Sequence, residues 1–94
     1  MKFEDVIMDY TPWNSGVQGI VSYGNYELSI VKNANSYGGD KGLFEIGVFK
    51  DGEFVELPGI TAPGDTVKGF LTVAQVNAIM MKMMTITGES GKNV

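Results

Sequence analysis

The sequence predicts an α+β fold, in which one C-terminal helix packs on one face of an antiparallel sheet of about four strands. Three patterns support this prediction: two hairpins with two-residue turns, and one capped amphipathic helix that follows them. The chain has 94 residues, a length that suits a single domain over residues 1–94. We expect residues 1–16 to form an N-terminal arm or an extra strand, and residues 88–94 to form a flexible tail.

The first hairpin is predicted in "GIVSYGNYELSIV", residues 19–31. Gly24-Asn25 is a two-residue turn, and glycine in its first position suits the type II′ geometry. In this register three pairs form and their side chains share one face: Tyr23 with Tyr26, Val21 with Leu28 and Gly19 with Ile30. The opposite face is more polar.

The second hairpin is predicted in "LFEIGVFKDGEFVEL", residues 43–57, around the favoured type I′ pair Asp51-Gly52. The predicted cross-strand pairs are Lys50 with Glu53, Phe49 with Phe54, Val48 with Val55 and Ile46 with Leu57. One face is then apolar, with Phe44, Ile46, Val48, Val55 and Leu57. Phe49 and Phe54 sit together on the other face.

The helix is predicted from Val73 to about Ile86. Thr72 and Gln75 have the spacing of a capping box, and Gly88 is a left-handed stop signal. At 100° per residue six side chains form one stripe that should cover the sheet: Val73, Val76, Ile79, Met80, Met83 and Met84.

The glycine-rich stretch "SYGGDKG", residues 36–42, matches neither the phosphate loop nor the dinucleotide fingerprint, and it precedes a strand rather than a helix. Its glycines are predicted to supply unusual dihedral angles in a connection between the hairpins, with Tyr37 folded back as a lid on the core. The alternative is an anion nest of backbone amides.

The composition bounds the chemistry. The chain has no cysteine, histidine or arginine, so the usual thiolate nucleophile, general base, metal ligands and phosphate fork are missing. We therefore expect no enzyme, no cofactor and no metal. Eleven acids against seven lysines give a net charge of −4, which disfavours direct binding of nucleic acid. No apolar run is long enough for a membrane helix, and the first residues are acidic where a signal peptide is basic.

Two surfaces are candidates for partner binding. Ala74, Ala78 and Met81 fall on the side of the helix away from the stripe, where small residues and a methionine could form a homodimer or a partner contact. Phe49 and Phe54 lie on the sheet face that the helix does not cover. Trp13 either packs on these two rings as an internal cover or contributes with them to a binding patch.

Parts of the sequence resemble small uncharacterised proteins of tailed bacteriophages and prophages. The resemblance is carried by Ser36, Tyr37, Gly38 and "GLFEI" at residues 42–46, and by "DTVKGFLT" at residues 65–72. It covers about half of the chain and transfers no catalytic residue. It implies a phage accessory protein in the cytoplasm of an infected bacterium.

We therefore expect stoichiometric binding to a host or phage protein, as in an anti-CRISPR-type inhibitor of a host enzyme or defence system. The alternative is a small virion structural or assembly protein that acts by self-association. Acids clustered on one surface would favour the inhibitor. An even spread of acids with a large self-complementary apolar patch would favour assembly.

Overall fold

The computed structural model describes residues 1–94 and confirms the α+β architecture, an antiparallel sheet with one C-terminal helix. The sheet has seven strands rather than about four. They are β1 (Asp9–Thr11), β2 (Gly16–Tyr23), β3 (Tyr26–Lys32), β4 (Phe44–Lys50), β5 (Glu53–Phe54), β6 (Val67–Leu71) and β7 (Lys92–Asn93). The long strands β2, β3 and β4 form the centre. Short strands β1 and β7 share the outer edge of β2, and β5 and β6 share that of β4.

Both predicted turns occur in the predicted register. Tyr23 pairs with Tyr26, and φ is positive at Gly24 (69°), as a type II′ turn requires. In the second hairpin φ is positive at both turn residues, Asp51 (51°) and Gly52 (85°), which is the type I′ pattern. Turn chemistry and side-chain alternation agree in both places, so the register is determined locally.

The second hairpin is shorter than predicted, because β6 replaces β5 along β4. At Val48 the carbonyl accepts from the Val55 amide at 3.0 Å, while the Val48 amide donates to the Thr66 carbonyl at 3.1 Å. Beyond this point Ile46 pairs with Lys68, so the predicted pair of Ile46 with Leu57 was wrong. Leu57 is still buried, in a turn where its carbonyl accepts from two later amides.

Helix α1 spans Val73–Thr87 and begins at the predicted cap. The Gln75 amide donates to Thr72 Oγ1 at 3.2 Å, and the Thr72 amide donates to Gln75 Oε1 at 2.8 Å. Gly88 ends the helix in the left-handed conformation. Four members of the stripe are buried: Val76, Ile79, Met80 and Met83. Val73 was predicted to be among them but is 46% exposed, since Leu71 before the cap fills the buried position at this end.

The N-terminal segment takes the form of the extra strand, after a single 3₁₀ turn at Phe3–Asp5. This turn is tied to α1, because the Phe3 amide donates to Asn77 Oδ1 at 2.6 Å. No helix in the structure has the length and apolar character needed to cross a membrane.

The C-terminal segment, predicted to be a flexible tail, is hydrogen-bonded to the edge of β2. Gly88 reverses the chain, and the Val94 amide then donates to the Ile20 carbonyl at 3.1 Å. The side chain of Asn93 joins both termini: it accepts from the Ile7 amide at 2.9 Å and donates to the Asp5 carbonyl at 2.8 Å.

Candidate functional site

The sheet has one face covered by α1 and one face that carries no helix, which we call the open face. Cross-strand pairing places on it Asp9, Gln18, Ile20, Ser22, Glu27, Ser29, Val31, Glu45 and Phe49. Most of these side chains are half-buried by their neighbours within the sheet. Ser29 in the middle is 8% exposed and accepts from Gln18 Nε2 at 3.2 Å.

Charges of the strands are segregated between the two faces. Asp9, Glu27 and Glu45 lie on the open face, whereas Lys32, Lys50 and Lys68 pair with residues of the helix-covered face. Two of these lysines lie over aromatic rings. Lys32 Nζ is 4.9 Å from the centroid of the Phe44 ring, and Lys50 Nζ is 5.4 Å from that of Tyr26. There are two exceptions: Lys92 pairs with Ser22 on the open face, and Glu53 pairs with Lys50 on the helix-covered face. The open face therefore carries a net negative charge, while the other acids are spread over the rest of the molecule.

Apolar side chains, most of them exposed, surround Trp13 at the β1 edge of the sheet. The Trp13 patch consists of Ile7, Tyr10, Trp13, Ile20 and Val94, around a hollow of about 230 Å³. Trp13 is 79% exposed, and Tyr10 is 70% exposed. Tryptophan and tyrosine are the side chains that most often dominate protein interfaces, so this patch has the chemistry of a contact surface.

A short rigid turn holds Trp13 in this position. Pro12 opens a 3₁₀ turn that ends at Ser15 in the left-handed conformation (φ 56°). The Thr11 hydroxyl donates to the side-chain oxygen of Asn14 and closes the turn from within. The indole is thus presented by an ordered segment and needs little further ordering on binding.

Trp13 does not cover Phe49 and Phe54, so the internal cover, one of the two alternatives for Trp13, was wrong. Trp13 adjoins β1, whereas the two phenylalanines pair between β4 and β5 at the opposite end of the sheet order. Their ring centroids are 4.1 Å apart, and Phe54 is 58% exposed. A Cβ on Gly47 would lie 3.3 Å from the Phe54 ring, so the absence of a side chain there lets the ring lie over β4. The structure therefore separates these candidates into two surfaces.

The third candidate surface lies on the solvent side of α1. Ala74, Ala78 and Met81 are all exposed, Met81 at 67%. Lys82 carries the single charge of the helix, and its ammonium donates to the Gly59 carbonyl at 3.3 Å. This side therefore carries little charge for the solvent-exposed side of a helix.

The glycine loop is a packed connection. Gly38 has φ 90°, and a Cβ on Gly39 would lie 1.9 Å from the Asn33 carbonyl oxygen. The Tyr37 amide donates to Glu45 Oε1 at 2.8 Å. Tyr37 is not a lid on the core, because it is 62% exposed. It lies against Gly69, and a Cβ added to Gly69 would be 2.3 Å from the Cβ of Tyr37.

Sequence reasoning missed a groove beside β6. The groove has a volume of about 620 Å³, and Tyr37 and Phe70 both line it. Phe70 has φ 57°, an unusual value for a bulky residue. Such a backbone conformation costs about 1–3 kcal/mol, and residues that adopt one cluster at functional sites. The alternation of Val67, Gly69 and Leu71 was the signal for this strand, but glycine weakened it.

No group of three histidine, cysteine or acidic side chains is placed to hold a metal ion. Comparisons of the chain with protein-family models, with curated proteins and with solved structures find no match.

Proposed function

We propose that this chain acts by stoichiometric binding to a protein partner, and that the Trp13 patch is the centre of the contact. Support comes chiefly from one observation: a tryptophan that is 79% exposed on an ordered turn, with four further apolar side chains around it. Such an anchor surrounded by apolar contacts and a polar rim is the usual anatomy of an interface core.

The charge of the open face indicates what kind of partner surface would fit it. Asp9 lines the same hollow as Trp13, and Glu27 and Glu45 extend the acidic character across the sheet. An acidic face with apolar anchors is complementary to a basic surface, for example the nucleic-acid groove of a host enzyme. We therefore propose an inhibitor of a host enzyme or defence system, of the anti-CRISPR type.

The setting is proposed from the resemblance to small phage and prophage proteins. In that setting the protein is an accessory product that acts in the cytoplasm of an infected bacterium, as a binding protein rather than an enzyme. The motifs of the resemblance lie in the glycine loop, at the start of β4 and at β6, so the Trp13 patch is outside them.

The test is affinity capture from bacterial lysate with the wild type, Trp13→Ala and Met81→Glu, followed by quantitative mass spectrometry. A genuine partner is retained by the wild type and by Met81→Glu, and is lost with Trp13→Ala. Thermal melts of the three proteins should agree closely, because both substituted side chains are mostly exposed.

Purified partner then allows a direct measurement of stoichiometry. Trp13 is the one tryptophan of the chain, so burial in the complex should shift its fluorescence emission to shorter wavelength. Titration should reach its end point at a fixed molar ratio, and the partner's activity should fall in parallel. Capture of the same proteins by Trp13→Ala would contradict the proposal.

Self-association in a virion assembly is the second candidate, favoured by the exposed row of Ala74, Ala78 and Met81 on α1. Two copies could pack these residues about a two-fold axis, the commonest symmetry of homo-oligomers. Light scattering over a concentration series separates the two candidates, since only this one requires a dimer of the isolated chain.

A further inference from the structure

The outer edge of β6 has no neighbouring strand. β6 pairs only with β4, and its other side faces the groove of about 620 Å³. The strand contributes four consecutive residues to the groove, Val67 to Phe70, and the turn at residues 59–62 forms the other wall. Val67 and Lys68 point to opposite faces of the sheet. Because both line the groove, it follows the edge of the strand rather than one face.

The register shows which backbone groups face the groove. The Val48 amide donates to the Thr66 carbonyl at 3.1 Å, which marks these residues as a hydrogen-bonded pair. Pairs alternate along an antiparallel ladder, so Gly47 and Val67 form a non-hydrogen-bonded pair. The amide and carbonyl of Val67 therefore point away from β4. None of the hydrogen bonds to turns and loops uses them.

Two aromatic rings mark where this free edge ends. The Phe70 amide donates to the Tyr37 carbonyl at 3.1 Å, so the strand is already paired at that point. Tyr37 is 62% exposed and Phe70 is 53% exposed, and both rings line the groove. Asp65 and Lys68 contribute one negative and one positive charge, so the groove favours neither acidic nor basic ligands.

We infer that this groove accepts an extended peptide segment of the protein partner as an added strand on β6, with an apolar side chain of the segment against Tyr37 and Phe70. The inference rests on the proposed function for the existence of that partner, and it specifies how the partner binds. The free backbone groups provide affinity, and the rings provide selectivity. The short free edge fits about three or four residues of extended chain.

Edge strands are often protected by lysines and by irregular backbone, and β6 has both features. Lys68 points to the helix side, where it also lines a hollow with Leu71 and Gln75, so its side chain approaches the edge from that face only. The irregular backbone lies beyond the Lys68 pairing, towards Phe44 and Leu71. These features limit the length of an added strand and oppose pairing of whole edges between two copies.

The experiment selects peptides from a displayed library of random linear decapeptides on the immobilised wild type, and uses the enriched peptide as the probe. Val67→Pro removes the free amide and places a ring carbon in the groove, yet it breaks no bond to β4. Val67→Thr keeps the amide and the branched side chain. We expect binding of the probe to weaken at least tenfold with Val67→Pro and less than threefold with Val67→Thr.

Hydrogen exchange on the wild type gives a readout that does not depend on the variants. The Val67 amide should exchange rapidly in the free protein and at least tenfold more slowly with the probe bound. Equal binding to Val67→Pro, no enriched peptide, or protection centred on the Trp13 patch would each overturn the inference.

Adding Val67→Pro to the affinity capture from lysate separates the two proposals. A lysate protein that is lost with Trp13→Ala but retained by Val67→Pro leaves the proposed function standing and removes the added strand. Peptides that bind at Val67, without any lysate protein that depends on Trp13, support the added strand and contradict the Trp13 patch.

Discussion

Replacement of Tyr23 by phenylalanine should stabilise the protein, and most strongly at alkaline pH. Tyr23 is 1% exposed in the core beneath the C-terminal segment, where a Cβ on Gly91 would lie 2.9 Å from its ring. No group of the protein forms a hydrogen bond with its hydroxyl. A buried hydroxyl without a partner costs about 1–3 kcal/mol, so Tyr23→Phe is expected to gain about 1 kcal/mol at pH 7. For a chain of this size that is a rise in melting temperature of about 4–8 °C.

The larger difference in stability at alkaline pH follows from the pKa of Tyr23. Burial raises the pKa of Tyr23 from 10.0 to about 12, because the phenolate would lose its solvation. Between these values the unfolded chain releases the proton and the folded chain retains it. The unfolded state then binds fewer protons, so stability falls as pH rises. At pH 11 the wild type should have lost about 1.4 kcal/mol relative to Tyr23→Phe, in addition to the difference at pH 7.

Urea titrations followed by circular dichroism at pH 7, 9 and 11 measure this difference. Tyr10→Phe is the matched control, since Tyr10 is 70% exposed and should show the same pH dependence as the wild type. The reasoning would be refuted if the free energies of unfolding of Tyr23→Phe and the wild type changed in parallel from pH 9 to 11. A variant less stable than the wild type at pH 7 would refute it as well.

Three further predictions concern the helix and the glycine loop. Thr72→Ala should cost about 1 kcal/mol in a denaturant titration, because it removes the hydroxyl that accepts from the Gln75 amide, and an unchanged midpoint would contradict that role. Gly39→Ala should lower the free energy of unfolding by about 1–3 kcal/mol, because the added Cβ would contact the Asn33 carbonyl. The loss should exceed that of Gly42→Ala, where φ is 74° but no atom lies within 4 Å of the added Cβ. Equal losses would show that the contact at Gly39 relaxes. If the chain dimerises through α1, Met81→Glu should yield a folded monomer in light scattering, because a charge at the centre would lose its solvation. A wild type that is monomeric at about 100 micromolar removes the dimer.

The sequence predicted the parts of the fold that are determined by neighbouring residues. The two turns and the cap of α1 each need only a few adjacent side chains, and their signals agreed with the hydrophobic pattern. β1, β5 and β7 have two or three residues each, too short for a period to be read. β6 was missed because glycine and a positive φ at Phe70 interrupt its alternation.

The candidate surfaces were harder to predict, because they depend on pairing between distant residues. Exposure of Met81 follows from helical geometry alone, and that expectation agrees with the structure. The position of Trp13 depends on the pairing of β1 with β2, and nothing near Trp13 in the sequence specifies that pairing. The return of Val94 to the same edge is likewise a contact between the two ends of the chain.

The arrangement of short strands explains why the proposed binding surfaces lie at the two edges of the sheet. The central strands β2, β3 and β4 bury their apolar side chains beneath α1, so little of their surface is free to change. Each outer edge is instead completed by two short strands from distant parts of the chain. At one edge their ends present the Trp13 patch, and at the other the gap beside β6 leaves backbone groups unpaired. A partner could therefore bind at either edge without disturbing the core, and substitutions at Trp13 and Val67 should affect binding independently. A double variant whose loss of affinity is much smaller than the product of the two single losses would show that both edges contact one coupled site.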